Sequence, residues 1–517
     1  MIMDFATYKD KVMGCWAGKN IGGVVGAPFE GKRQENHIDF YVQQDLKDNP
    51  PPNDDLDLQR VWLNAVEKYG RAVNASLLGD YWLSYIIPDW VEYGAGKNNL
   101  RMGIQPPMSG AMGNPYRNSC GCFIRSELWA CLAPGQPELA ARYAYEDAVV
   151  DHAQEGLYGE IFTAAMESAA FVESDRDTLV EIGLSYIPSD SAVARAVRTA
   201  MDCYKKGMDW REARIAVLSS APGTFGVQNT PLAEVDTGRI PLGEVGFDAP
   251  GNIGITILGW YYGEGDFGKS LCTAVNCGED TDCTAATLGA LMGIIQGASA
   301  LPKAWLEPIN DRITTCCINR LNGSIDIPNT VTELTDRILR ATPGFVGREW
   351  CDILAPGGYT LKLLEGDALY CHNEPLYQVG TNGGGKPKLP TVEALLQQSP
   401  HAVFYTFPAF HATLDYLDTP YFKAGETKRF TLTITDSGEF GHLQQWATLR
   451  WYLPEGVTLL PSPTASCFID WYYKGKNTFT FEFTVESWAE PKLEMICDIS
   501  LNGRHTHGLI KASFIQA

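Results

Sequence analysis

The chain has 517 residues, 45% of them hydrophobic and 20% charged, with a formal net charge of −21. That length exceeds one ordinary hydrophobic core, so two or three domains are expected, and the composition excludes a disordered protein. So acidic a surface repels nucleic acid and anionic lipid; it suits a neutral substrate, or one whose phosphates meet a local basic group.

The first ten residues, Met1 to Asp10, have no basic stretch followed by an apolar run, so no secretory signal is expected. Next comes a glycine-rich segment, Gly14 to Glu30, and then the acidic cluster Asn53-Asp54-Asp55-Leu56-Asp57 behind Pro51-Pro52. Apolar residues at three-to-four spacing predict amphipathic helices over Asp57 to Tyr69, Pro137 to Val150, Glu160 to Val172, Ser191 to Lys206 and Thr330 to Arg340. A second acidic cluster, Glu279-Asp280-Thr281-Asp282, precedes an uncharged run from Thr284 to Pro302. That run is nearly long enough to span a membrane, but its Gly and Ala content and the acidic residues before it predict a buried helix. Its spacing Gly289-x-x-x-Gly293-x-x-x-Gly297 puts small residues on one face, where another backbone can approach closely.

After Ala341-Thr342-Pro343-Gly344 the composition shifts, and Gly380 to Pro387 reads as loop. Beyond it the period changes to two, in runs such as Lys428 to Thr435, Trp446 to Leu453 and Asn477 to Val485, with turns such as Pro454-Glu455-Gly456 between them. This predicts an antiparallel β-sandwich. The expected organisation is an all-α domain over 1–345, a connector over 346–399 and a sandwich over 400–517. Trp446, Trp451, Tyr452, Trp471, Tyr472 and Tyr473 offer rings for stacking on sugars or for filling the sandwich core. The fourteen cysteines lack the paired spacing of a zinc site and the density of a disulfide scaffold, so reduced thiols in the cytoplasm are expected.

Each acidic cluster crowds carboxylates more closely than their repulsion permits in a dry site, unless a cation lies between them. Taken alone, the first also reads as a helix N-cap, with acids favoured by the dipole. The second sits at the inner end of a buried helix, where unpaired carboxylates cost several kcal/mol each. Together they predict one oxygen-lined site. Only His37 and His152 among eight histidines fall in the helical region, so Mg²⁺, Mn²⁺ or Ca²⁺ suits it better than a softer ion.

Gly14 to Glu30, the Asp54-Asp55 pair and Gly278-Glu279-Asp280-Thr281-Asp282 with Ala285-Ala286 resemble, in order, the three signature segments of the ADP-ribosylglycohydrolase family. Asn252 to Ile255 and Gly265 to Phe267 are similar to the family's approach to the last motif. The resemblance implies a compact all-α fold over about residues 10 to 340 and a centre of one or two Mg²⁺ or Mn²⁺ ions. It implies hydrolysis at C1 of an ADP-ribosyl ribose, with the metals binding ribose hydroxyls and activating water. By position it makes Asp54, Asp55, Asp280 and Asp282 metal ligands and Glu30 the general acid/base.

Some positions depart from the family pattern. Asn53, Leu56 and Cys283 stand where the family has threonines, and Gly22-Gly23 where it has Gly-Asp. Asn53 still offers a carbonyl oxygen, whereas the Cys283 thiol is a ligand that hard ions avoid. Asp57 and Glu279 are additional carboxylates, with Asp57 a candidate replacement ligand. The segment Asn118 to Arg125 resembles the family's substrate-contacting loop, which makes Asn118, Gly121 and, farther on, His152 candidates for binding substrate. Cys120 and Cys122 read as small apolar packing residues rather than nucleophiles.

Three functional readings follow. The first is a metal-dependent hydrolase of ADP-ribosyl conjugates, small or protein-borne. The second is a glycosidase or ribosyl hydrolase acting on a neutral cis-diol sugar, a reading that the acidity and the appended sandwich favour. The third is a ligand-binding protein without catalysis. Neither nucleic acid nor membrane is an expected partner, and the oligomeric state is not legible.

Overall fold

The computed structural model describes residues 1–47, 50–221, 246–371, 390–437, 444–470 and 477–517. The chain forms two compact units, Met1–Lys97 with Gly113–His372, and Asn98–Met112 with Asn373–Ala517. The loop Gly380 to Pro387 and the aromatics Trp471, Tyr472 and Tyr473 lie outside the described residues.

The first unit is helical. The helices that carry the argument are α1 (Phe5–Gly26), α2 (Asp54–Tyr69), α3 (Val91–Arg101), α4 (Ala249–Gly263), α5 (Phe267–Asn276), α6 (Thr281–Gln296) and α7 (Val331–Val346). The expected helices are present with shifted ends. The helix α2 starts three residues before the expected Asp57, because Asn53 caps it by accepting from the Asp55 N–H at 2.7 Å. In α7 the helix runs through Pro343 instead of stopping before it, since Phe345 and Val346 continue the buried stripe begun by Leu334 and Ile338.

At the centre of this unit α1 lies antiparallel to α6, backbone against backbone. A Cβ at Gly14 would lie 2.2 Å from the Gly293 carbonyl oxygen, at Gly18 1.9 Å from that of Gly289, at Gly22 2.1 Å from that of Ala285, and at Gly26 2.2 Å from that of Thr281. The small face expected on the second helix thus meets a glycine face with the same four-residue period on the first. The antiparallel sense sets the end of α1 beside the start of α6. The uncharged run is a buried helix as far as Gln296, and no helix among the described residues is long and apolar enough to cross a membrane.

Part of the expected connector belongs to this unit. Strands β1 (Ile2–Met3), β2 (Cys351–Asp352) and β3 (Thr360–Lys362) form a small antiparallel sheet in the order β1-β3-β2. The sequence shift near Ala341 therefore precedes the change of unit.

The second unit is a β-sandwich of two five-stranded sheets, with strands β4 (Ala402–Thr406), β5 (Phe410–Asp415), β6 (Tyr421–Phe422), β7 (Lys428–Asp436), β8 (Gln444–Tyr452), β9 (Thr458–Leu460), β10 (Thr464–Asp470), β11 (Asn477–Thr484), β12 (Lys492–Leu501) and β13 (His507–Gln516). The sheet orders are β4-β5-β7-β11-β9 and β10-β8-β12-β13-β6; the pairings are antiparallel except β13 with β6. Period-two alternation turns one side of each strand inward. Across the two sheets Phe430 meets Trp451 at 5.4 Å and Phe483 meets Phe514 at 4.7 Å between ring centroids. Ile104 and Met108, from the segment preceding the bulk of this unit by nearly three hundred residues, are buried in the same core. Trp451 fills that core, while Trp446 and Tyr452 are exposed on the outer face of β8.

Candidate metal centre

The short connection from α5 to α6 is held in an unusual shape. Gly278 and Glu279 both adopt positive φ, +74° and +69°. A left-handed glutamate is strained by about 1 kcal/mol or more, so surrounding contacts must hold it. They do so from the segment following α1. The Glu279 N–H donates to the Lys32 carbonyl at 2.9 Å, its carbonyl accepts from the Gly31 N–H at 3.0 Å, and its carboxylate pairs with Arg33 Nε at 2.8 Å. Glu279, an extra carboxylate by sequence, therefore works as a clamp. The Asp280 N–H donates to Asn252 Oδ1 of α4 at 3.0 Å, and Thr281 Oγ1 donates to the Gly26 carbonyl at 2.8 Å, which fastens the two helix ends together.

This framework gathers the acids. Carboxylate oxygens of Glu30, Asp280 and Asp282 lie within 4.8 Å of one another. Asp55, Asp282 and the Cys283 sulfur form a second such group, and Cys120, Asp280 and Cys283 a third. Asp280 Oδ1, Asp282 Oδ1 and Asp55 Oδ2 are buried and receive no hydrogen bond among the described residues. Orphaned carboxylate oxygens converging in one place fit a divalent cation with oxygen ligands, which removes the penalty each carries.

The surroundings respond to this crowding. Burial, then the charges of Asp280 and Asp54, push the Glu30 carboxyl up to about 8. Burial pushes Asp54 up to about 6 although the Tyr93 hydroxyl, donating at 3.0 Å, works the other way. Burial and the neighbouring Asp280, Glu30 and Asp55 hold Asp282 well above the usual carboxylate range. One cation enters the cluster from within the protein. Lys19 of α1, fully buried, lies 3.6 Å from Asp55 Oδ2 and donates to Glu127 Oε1 at 2.8 Å and to the Ile124 carbonyl at 2.5 Å. Burial opposes its charge, but Glu127 and Asp55 outweigh burial and raise its pKa. Lys19, Tyr93 and Glu127 escape the sequence reading; a lysine inside a glycine-rich apolar helix is the one signal that pointed to them.

The predicted site residues divide. Glu30, Asp55, Asp280 and Asp282 come together. Asp54 stands beside them with its carboxylate on Tyr93, diverging from Asp55 as adjacent positions of a regular helix must. Asp57 is not brought in. Its carboxylate pairs with Arg60 at 2.8 Å and accepts from Thr315 Oγ1 and the backbone N–H groups of Cys316 and Cys317, each at 2.8 Å. Asn53 spends its carbonyl oxygen on the cap of α2, and its Nδ2 fills the space a Cβ at Gly23 would take, 2.1 Å away.

The three candidate substrate contacts each bond within the protein. Asn118 Oδ1 accepts from the Glu155 N–H at 3.2 Å, and the Gly121 carbonyl accepts from Arg125 at 2.8 Å. His152 is fully buried, with Nε2 2.8 Å from Ser119 Oγ and Nδ1 2.9 Å from Asp151 Oδ1. Between Asn118 and Gly121, however, Cys120 reaches the cluster. It is buried as expected, but it is not apolar filler: its thiol donates to Asp280 Oδ2 at 2.8 Å.

Residues 4–342 match the family model described as ADP-ribosylglycohydrolase. An uncharacterized protein of Archaeoglobus fulgidus is 24% identical over 318 residues, spanning 59% of this chain and 93% of that protein. A solved structure described as an ADP-ribosylglycohydrolase-related protein complex covers 65% of this chain and 100% of its own at 18% identity, with a TM-score of 0.43. A conjugative transposon lipoprotein from Bacteroides eggerthii covers 22% of this chain and 93% of its own at 12% identity, with a TM-score of 0.15.

Proposed function

We propose that this chain, which belongs to the ADP-ribosylglycohydrolase family, is a metal-dependent hydrolase that cleaves the bond at C1 of the ribosyl group in an ADP-ribosyl conjugate. The observation that carries the reading is the convergence of Glu30, Asp280 and Asp282 within 4.8 Å, with buried carboxylate oxygens that no donor among the described residues satisfies. Asp55, Asp280 and Asp282 would hold Mg²⁺ or Mn²⁺, with Asp54 at the edge. A cation bound there supplies Lewis acidity toward sugar hydroxyls and a water nucleophile at neutral pH.

The chain's own groups do the rest. Glu30 is the least buried member of its group, its carboxyl turned toward the acids, so it is the carboxyl that meets substrate. Burial and two neighbouring charges hold it near the operating pH, where a group both gives and takes a proton efficiently. It passes a proton between the attacking water and the departing group at C1. Lys19, anchored on Glu127, favours the ionised form of Asp55, although burial still holds that carboxyl well above the usual carboxylate range. Asn252 and Thr281 fix the start of α6, so the carboxylates keep their spacing as substrate enters.

The test is release of ADP-ribose from ADP-ribosyl-arginine and from ADP-ribosylated protein, by chelator-treated protein supplied with Mg²⁺ or Mn²⁺. Release should require the cation, and Glu30→Gln should slow it by about 10²–10⁴-fold. Absence of cation-dependent release, or full rate in Glu30→Gln, would sink the reading.

One observation favours the second reading, a neutral cis-diol sugar as substrate. Lys19 and Arg33, two buried basic side chains beside the cluster, are already paired with Glu127, Asp55 and Glu279, leaving the diphosphate of ADP-ribose without either of them as partner. Nucleosides and simple glycosides belong in the same panel, and turnover of these alone would select it.

A further inference from the structure

We infer that this metal centre contains a thiophilic position, built by Cys120, Cys283 and Asp280, that takes a borderline-soft divalent ion such as Zn²⁺ beside the hard position at Glu30, Asp280 and Asp282. The inference rests on reading the cluster as a metal centre, but not on any particular reaction.

Two thiols from distant parts of the chain converge on one carboxylate oxygen. Cys120, from the loop before Gly121, and Cys283, in the first turn of α6, each donate to Asp280 Oδ2 at 2.8 Å. Both are buried, and the three ligand atoms lie within 4.8 Å of one another. Zinc bonds of about 2.3 Å to sulfur and about 2.0 Å to oxygen put neighbouring ligand atoms of a tetrahedron about 3.5–3.8 Å apart. The triad thus needs only a small expansion around an ion that displaces the two S–H protons to solvent. Two thiolates and one carboxylate are three protein ligands, leaving the fourth position open, the arrangement of a reactive rather than a purely structural zinc site.

A second observation points to a ligand at this spot. Asp280 Oδ1 and Asp282 Oδ1, on residues only 4% and 5% exposed, face the cluster with no donor among the described residues. With Oδ2 on the thiols and Oδ1 left without a donor among the described residues, Asp280 has an oxygen to offer each of two ions. Cys283 also reaches Asp55 Oδ1 at 3.5 Å, so its sulfur lies between both groups of acids. An all-oxygen centre has no use for sulfur here, since hard ions select carboxylate, carbonyl and water, whereas thiolate selects softer ones.

The experiment uses the full chain, stripped with a chelator and titrated with Zn²⁺ or Co²⁺. Bound Co²⁺ should show a thiolate-to-cobalt charge-transfer band in the near ultraviolet. Cys120→Ser and Cys283→Ser should each weaken the band and lower Zn²⁺ affinity by more than the roughly 10–100-fold that loss of a supporting group behind a ligand costs. Cys497→Ser, in the sandwich core, should change neither. Circular dichroism and a thermal melt establish that each variant folds; Cys283→Thr supplies a variant with the family's own residue, and it should shift preference from Zn²⁺ toward Mn²⁺. Co²⁺ bound without the band, or Zn²⁺ affinity unchanged in a folded Cys120→Ser, overturns the inference and leaves thiols that merely hydrogen-bond Asp280. Mn²⁺-dependent turnover alongside that result would leave the hydrolase reading standing; failure of Zn²⁺, Co²⁺ and Mn²⁺ all to bind would remove both.

Discussion

A carboxyl group held above its ordinary pKa keeps its proton to higher pH in the folded protein than in the unfolded chain, and this decides how the acidic cluster responds to pH. Glu30 moves from 4.5 to about 8 and Asp54 from 3.8 to about 6. Between these limits the folded state binds more protons than the unfolded state, so stability falls as pH rises. Melting temperature in the presence of a chelator should therefore drop from about pH 4.5 to about pH 8, and Mn²⁺ should flatten the slope. Glu30→Gln should lessen the decline above pH 6, with Asp282 and the other raised acids supplying the rest; an unaltered slope in that variant would show that the carboxyl does not face the cluster. At this scale, the sequence exposes which acids are crowded but not where each one points. Asp57 and Asp55 are two positions apart on one helix, yet one meets a loop 258 to 260 residues away and the other meets Lys19. Only the Asp57–Arg60 pair, three residues apart, was readable from spacing.

The pair α1–α6 is the element on which the centre depends. Glycine disfavours a helix by roughly 1 kcal/mol per residue, so α1 persists because its glycine face meets another backbone and not through propensity. Gly18→Ala puts a methyl 1.9 Å from the Gly289 carbonyl oxygen, where backbone cannot yield cheaply. It should cost about 1–3 kcal/mol or more, seen as a lowered melting temperature, and should weaken cation binding because the two helix ends part. Gly344→Ala, in α7, meets nothing within 4 Å and should be neutral or stabilising by up to about 1 kcal/mol. Equal effects of the two substitutions in thermal denaturation would refute the close approach. The Gly289–Gly293 spacing announced such a face in the sequence. Its partner was also written there, at Gly14, Gly18, Gly22 and Gly26, but nothing local pairs two segments separated by more than two hundred residues.

At the scale of the molecule, the two units are not consecutive stretches of chain. Asn98–Met112 belongs with the sandwich, where Ile104 and Met108 are 2% and 1% exposed. A chain ended at His372 would leave that segment without its core, so it should aggregate or bind a hydrophobic dye, as size-exclusion chromatography would show; a monodisperse helical product would contradict this. The expected order of a helical region followed by a sandwich was legible, because a hydrophobic period of 3.6 or of two is a local property of the sequence. The identity of the crowded acids was legible for the same reason, and the family resemblance rested on those short segments. Tertiary structure alone decided that residues 98–112 belong with the sandwich, that Asp57 turns away, and that Cys120 meets Cys283 on Asp280. Each of these depends on contacts between segments far apart in the chain, and periodicity and spacing carry no record of which distant segments will share a surface.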